Sequence, residues 1–234
     1  MSKRLANLHQ EIAFIASDLS AGHLYPYRFF IAWHGVITLV FRQFPESLLI
    51  LKDRLNKSNL NLVEENEGSR WPKMTLAALA PQQCLNIHEL NLLNDCCSKF
   101  NKSLDTLSPL RVTQLSVVHY AQQSLEKRID QYHIPLESYS ELSQSVPSLQ
   151  EEVERIFVGK REEDRQKEQL KILTKGRDSQ HYRLPIHGAS LVFEAPYAYQ
   201  EVISSLQESL NDVLPHYYEW FKPESRHLTV RALF

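Results

Sequence analysis

The chain has 234 residues, of which 43 % are hydrophobic and 23 % charged, and its formal net charge is −2. This length buries a substantial core as one large domain or two small lobes, in the composition range of an ordinary globular protein. With no global basic field, any nucleic acid must be held by a local patch.

Cys84, Cys96 and Cys97 are odd in number and two are adjacent, which makes a poor disulfide framework, and no zinc-ligand spacing surrounds them. Reduced structural thiols are expected. Gln10, Glu11 and Asp18 interrupt the N-terminal region, which does not read as a signal peptide. The most apolar run, FFIAWHGVITLVF at 29–41, is too short and too β-branched for a membrane span. The expected location is the cytoplasm, with no membrane partner.

Leu5, Leu8, Ile12, Ile15 and Leu19 recur at three- and four-residue spacings and predict a helix over 4–20. Tyr27 to Phe41 is aromatic and β-branched, and reads as one strand or a bent pair of strands. Pro45 and Glu46 open a second helix whose buried face carries Leu48, Leu49, Leu51 and Leu55. A polar stretch then leads to a strand at 73–79. A helix is expected over 86–101, marked by Ile87, Leu90, Leu93 and Cys97. The next strand is Val112 to Tyr120, with Val112, Gln114, Ser116, Val118 and Tyr120 on one side. SLEKRIDQY at 124–132 fits either the start of a helix or a pairing strand.

From Glu141 to Lys175 charge dominates, while Val153, Ile156, Phe157, Leu170 and Leu173 keep helical spacing. A solvated helical connector fits better than a basic RNA-binding helix, because acids and bases are interleaved.

Beyond Gly176 the chain repeats itself. RLPIHGASLVFEAP at 183–196 follows the logic of YRFFIAWHGVITLVFRQFP at 27–45: an apolar approach, His-Gly, a Leu-Val-Phe strand and a proline. An amphipathic helix follows each, the second carrying Val202, Ile203, Leu206 and Leu210. Each unit closes on a Ser-Arg phrase and a strand, SRWPKMTLAAL at 69–79 and SRHLTVRAL at 225–233. Phe41 to Thr75 spans 34 residues, and Phe193 to Thr229 spans 36. Two matched β-α-β units predict an α+β fold with two pseudo-symmetric lobes, antiparallel sheets and a central groove. The implied divisions are an N-terminal helix at 1–26, a first lobe at 27–140, the charged connector at 141–180 and a second lobe at 181–234.

In a strand, alternate residues share a face. His227, Thr229 and Arg231 therefore point one way, as do Lys73, Thr75 and Ala77 in the earlier copy. An imidazole two residues from a hydroxyl suits a phosphate oxygen and its proton traffic.

Here the sequence resembles the two-histidine (2H) phosphoesterase superfamily, which includes the 2′-5′ RNA ligase-like proteins and the cyclic phosphodiesterases. Their signature is a pair of His-x-Thr/Ser motifs, one per lobe, on strands lining the groove. His227-Leu228-Thr229-Val230 fits that motif, and Lys73-Met74-Thr75-Leu76 fits its frame with lysine for histidine. The resemblance covers roughly 27–132 and 181–234, by layout more than by identity. It implies a phosphodiesterase needing neither metal nor cofactor, acting on a 2′,3′-cyclic or 2′-linked phosphate of an RNA end or small nucleotide. His227 would transfer protons, Thr229 and Thr75 would hold the phosphate, and Lys73 would occupy the other histidine's place.

Lysine titrates near 10.4 and is a poor base at neutral pH, although as a cation it can act as an acid or neutralise charge. The chain is thus expected either to cut phosphodiesters or to be a module that only binds phosphorylated ligands. A partner-binding protein using its charged or N-terminal helix is a third reading. Arg231 is the first choice for a further phosphate ligand, and Arg70 and Arg226 can rim the groove. His34 and His187, each before a glycine, read as residues of a bend, and His119 as a packed histidine. Tyr25, Tyr27, Phe29 and Phe30 read as core aromatics more than as a base-stacking platform.

Overall fold

The computed structural model describes residues 3–65, 71–137 and 162–234. The chain is α+β, with six helices among the described residues and antiparallel sheets. The strands are β1 (Gly22–Leu24), β2 (Pro26–Ile31), β3 (Ile37–Phe41), β4 (Lys73–Leu79), β5 (Leu110–Val112), β6 (Gln114–Tyr120), β7 (Arg128–Pro135), β8 (Gly188–Glu194), β9 (Tyr218–Trp220) and β10 (His227–Ala232). The helices are α1 (Lys3–Ile15), α2 (Glu46–Lys57), α3 (Ile87–Leu104), α4 (Glu162–Leu173), α5 (Ser179–Arg183) and α6 (Gln200–Val213).

Seven strands run in the order β2-β3-β4-β10-β8-β6-β7, and β9 adds to β4 beyond the end of β10. The strands of the two repeated units therefore meet in one sheet, joined at β4 and β10. The central strands read as they fold: β4 is KMTLAAL and β8 is GASLVFE, both apolar enough to be covered on two faces.

One face carries the main core. Leu48, Leu51 and Leu55 of α2, Leu90, Leu93 and Cys97 of α3, and Ile203, Leu206 and Leu210 of α6 pack on Leu39, Met74, Leu76, Leu191, Leu228 and Val230. Asn86 and Glu89 form a reciprocal capping box that starts α3. Lys52 is buried between α2 and β10, where it pairs with Glu65 and donates to the Val230 carbonyl at 3.0 Å. Cys96 and Cys97 are buried thiols and Cys84 is exposed.

Several expectations are refined by pairing. The first helix stops at Ile15, and Leu19 is buried from the turn that follows. The Tyr27–Phe41 run is two strands joined by a 3-10 turn at Trp33–Gly35. The run 112–120 breaks at Thr113, whose carbonyl accepts from Leu136, and Val112 pairs with Gly22 in a separate two-stranded sheet. The undecided 124–132 stretch enters strand β7, paired along β6. Of the connector, 141–161 lies outside the described residues. Its end is more than a solvated helix: Ile172 of α4 is buried and the Lys171 ammonium sits 4.0 Å from the Trp33 ring centroid. No helix among the described residues is long and apolar enough to cross a membrane.

At the β2–β3 turn, His34 and Gly35 both adopt the left-handed region, with φ of 60° and 75°. A Cβ on Gly35 would lie 2.9 Å from Leu79 Cδ1, and the Gly35 carbonyl accepts from the Tyr218 hydroxyl at 2.9 Å. Gly35→Ala is therefore expected to destabilise the fold by about 2 kcal/mol, combining left-handed strain with a displaced core leucine. Urea unfolding checks this; a change below about 0.5 kcal/mol would mean the turn relaxes freely.

Candidate active site

The pairing of β4 with β10 sets Met74 opposite Leu228, both fully buried in the main core. Alternation then turns their neighbours, Lys73 and Thr75 on one strand and His227 and Thr229 on the other, to the opposite face. All four are half-buried. In an antiparallel pair this register brings Lys73 beside Thr229 and Thr75 beside His227. Two cationic or titratable groups and two hydroxyls thus occupy one diagonal patch at the sheet's centre.

Cross-strand pairing extends the patch as rows. Thr229 lies beside Val192, Val192 beside Ser116, and Ser116 beside His133, across β10, β8, β6 and β7. His227 lies beside Glu194. In the other direction Thr75 is followed by Thr38 and Phe30, and Lys73 by Val40 and Arg28. Two small apolar clusters flank the patch. Val36, Ala78 and Phe221 lie on one side with Tyr182 upon them, and Val118, Leu125 and Val192 on the other.

The His227 ring is oriented by its own strand entry. Its Nδ1 lies 2.7 Å from the Ser225 carbonyl oxygen, which can only accept, so the proton is on Nδ1 and Nε2 carries a lone pair. Burial pushes the imidazole down to about 4, and the Arg128 guanidinium works in the same direction; the Ser225 carbonyl and Glu194 oppose them. At neutral pH His227 is thus an uncharged base. Lys73 has its Nζ 5.5 Å from the Trp71 ring centroid. Burial lowers its pKa and the nearby Arg177 lowers it further, which makes its ammonium a better acid than a surface lysine.

A polar cluster that sequence reasoning missed stands next to His227. Glu194 accepts from Ser116 Oγ at 2.5 Å and from Gln131, and forms an ion pair with Arg128. His133 Nδ1 is 2.9 Å from Ser116 Oγ. Arg128 also donates to the Glu224 carbonyl at 3.2 Å, tying β7 to the loop that leads into β10. Alternation alone places Ser116 on one face of its strand with Gln114 and Val118. The missing signal was β7 as the partner of β6, which would have carried Gln131 and His133 onto the same face.

The arginines expected at the site do other work. A bulge between Thr229 and Arg231 pairs Arg231 with Leu191, so it turns to the core face, away from Thr229. There it is buried, donating to Asn56 Oδ1 at 3.1 Å and to the Val63 carbonyl at 2.6 Å. Arg226 is also buried and donates to Gln200 Oε1 at 2.7 Å, which anchors the start of α6. Arg70 and the first Ser-Arg phrase lie outside the described residues.

The His-Gly pair is alike in sequence and different in use. His34 sits in the left-handed turn with its Nδ1 3.2 Å from the Thr174 carbonyl. His187 is exposed, its ring centroid 6.0 Å from that of His119, which also meets Phe234 at 6.3 Å. Phe29 is buried, Tyr25 is exposed, and Arg42 sits 5.3 Å from the centroid of Tyr27. Among the described residues no group of three or more His, Cys, Asp or Glu is arranged to hold a metal ion.

No family model, curated protein or solved structure matches this chain.

Proposed function

We propose that the chain is a metal-independent phosphodiesterase of the 2H type, acting on 2′,3′-cyclic or 2′-linked phosphates of an RNA end or nucleotide. The observation that carries this reading is the shared face of Lys73, Thr75, His227 and Thr229 around the Met74–Leu228 pair. In this reading the two repeated units are pseudo-symmetric lobes related across β4 and β10, and the patch between them is the floor of the substrate groove.

The chemistry follows from the two titrations. His227 Nε2 takes a proton from water, whose oxygen forms the new bond to phosphorus. The bond from phosphorus to the leaving ribose oxygen breaks, and the Lys73 ammonium supplies the proton that oxygen needs. Thr75 and Thr229 donate hydroxyl protons to the non-bridging oxygens, whose negative charge grows in the transition state. Solvent exchange then returns a proton to Lys73 and removes one from His227.

Turnover of nucleoside 2′,3′-cyclic phosphates and of 2′-5′-linked dinucleotides in EDTA is the direct test. Product formation above blank is expected for at least one of them, and none for any would overturn the reading. The lysine in the histidine's place favours a second reading, a module that binds the phosphate without cutting it. That reading predicts binding that survives His227→Ala and weakens with Lys73→Ala and with added salt.

A further inference from the structure

Arg128 opens β7 one residue out of step. His119 pairs with Asp130 and Tyr120 with Arg128, so Ile129 is an extra residue in the strand. Plain alternation would put Arg128 on the side of Asp130, away from Gln131 and His133. The bulge turns it to their face, where its Nη1 donates to Gln131 Oε1 at 2.8 Å. The guanidinium touches three further segments there. Its Nε donates to the Leu125 carbonyl at 3.3 Å, its Nη1 is ion-paired with Glu194 Oε1 on β8, and its Nη2 donates to the Glu224 carbonyl at 3.2 Å. A rigid fork of five donors suits that geometry, and a flexible ammonium does not.

Two of these contacts converge on His227 from different sides. Glu224 precedes Ser225, whose carbonyl lies 2.7 Å from the His227 Nδ1, so the guanidinium fixes the peptide just before the one that orients the ring. Glu194 is the cross-strand neighbour of His227, and side chains so opposed have Cβ atoms about 5 Å apart. A carboxylate in that place favours an imidazolium. Its Oε1 is engaged by Arg128, and its Oε2 by Gln131 and by Ser116 Oγ at 2.5 Å. Lys73 shares the face of the ring from β4, and His133 has its Nδ1 3.9 Å from Glu194 Oε2. The Glu224 carboxylate accepts from the Tyr197 hydroxyl at 2.6 Å.

We infer that Arg128 is the positioning residue for His227: it holds the Glu224 carbonyl and the Glu194 carboxylate at once, so that the ring proton stays on Nδ1 and the carboxylate stays turned toward β7. Its value to proton transfer rests on the phosphodiesterase reading, and its hold on the ring does not. Without Arg128 the loop into β10 loses an anchor and one Glu194 oxygen loses its cation. The positive charge that disfavours an imidazolium is removed, while the negative charge that favours one remains.

Heteronuclear NMR of the side chains in the full chain tests this. In the wild type His227 should carry its proton on Nδ1 and titrate near 4, and the Arg128 Nη groups should give separate, slowly exchanging signals. Arg128→Gln is expected to raise that titration toward 6.5 by about one unit or more, and to let the proton sit on either nitrogen. Arg128→Lys keeps the charge without the fork, and should hold the low titration while the tautomers mix. Nδ1 protonation that survives in both variants, an unchanged titration in Arg128→Gln, or a freely rotating guanidinium in the wild type overturns the inference. Turnover of the cyclic nucleotides reads the other premise separately. A protein that cuts nothing yet shows these shifts keeps the role of Arg128 and loses the phosphodiesterase. Cutting with an acid limb that stays in place in Arg128→Gln does the reverse.

Discussion

His227→Ala is expected to lower kcat/KM on a 2′,3′-cyclic nucleotide by about 10²–10⁴-fold, the usual effect of deleting a positioned proton-transfer group. The argument rests on one hydrogen bond and one environment. The Ser225 carbonyl holds the proton on Nδ1, so Nε2 is the free base, and burial keeps that base unprotonated down to about pH 4. The wild-type pH profile should accordingly show its acid limb near 4, well below the 6.5 of a solvated imidazole. A variant that retains wild-type turnover would remove His227 from the reaction. A limb near 6.5 would mean that the ring is solvated in the working enzyme.

The same titration predicts a stability effect with a definite sign. His227 binds a proton near 6.5 when unfolded and only near 4 when folded, so the unfolded state takes up more protons between these values. Stability is fully present above pH 6.5 and falls as pH drops toward 4, by up to about 3 kcal/mol from this residue. His227→Ala should flatten that part of the stability–pH curve, as urea unfolding at several pH values will read. Glu126 adds a second loss at lower pH. Burial alone would raise its carboxyl, but Arg183, the Lys222 amide and Ser124 hold it below the usual range, so its contribution disappears as pH falls through that depressed value.

What could be read in advance was whatever depends on local period. α2 and α6 announce themselves because helical spacing runs through each without interruption, β10 alternates as far as Thr229, and β4 alternates only as far as Leu76, where a bulge turns Ala77 to the core instead of the face of Lys73 and Thr75 and sends Ala78 to the opposite side. Arg231 was misassigned because a bulge slips the strand by one residue, and nothing in HLTVRAL marks it. The polar cluster on Glu194 was invisible for a different reason. Its members come from β6, β7 and β8, and only long-range pairing brings Ser116, Gln131 and Glu194 within hydrogen-bond reach. The repeated Ser-Arg phrase was legible as a repeat, and its second copy has a structural role: Ser225 offers the carbonyl that orients His227, and Arg226 anchors α6. The docking of the connector's end was hidden in charged sequence because it depends on Trp33, His34 and Phe221, residues far from it in the chain.

Lys73 variants should separate its two possible contributions, and the second large effect is expected here. Lys73→Ala removes both the charge and the proton, and should cost about 10²–10³-fold in kcat/KM, with a rise in KM. Lys73→Arg keeps the charge and gives up the acid, because a guanidinium does not release its proton at any accessible pH. Burial and Arg177 both lower the Lys73 pKa, a bias that helps an acid and weakens a purely electrostatic cation. The arginine variant should therefore bind substrate nearly as well as wild type while losing about 10²-fold in kcat. Full kcat in Lys73→Arg would assign the lysine to charge neutralisation alone, and the leaving oxygen would then take its proton from water. Lys73→His is the complementary case. It places a second histidine beside Thr229, and its kcat should rise below pH 7, where the new imidazole is still protonated, and fall above it. A wild-type-like profile above pH 7 in this variant would show that the residue at 73 donates no proton.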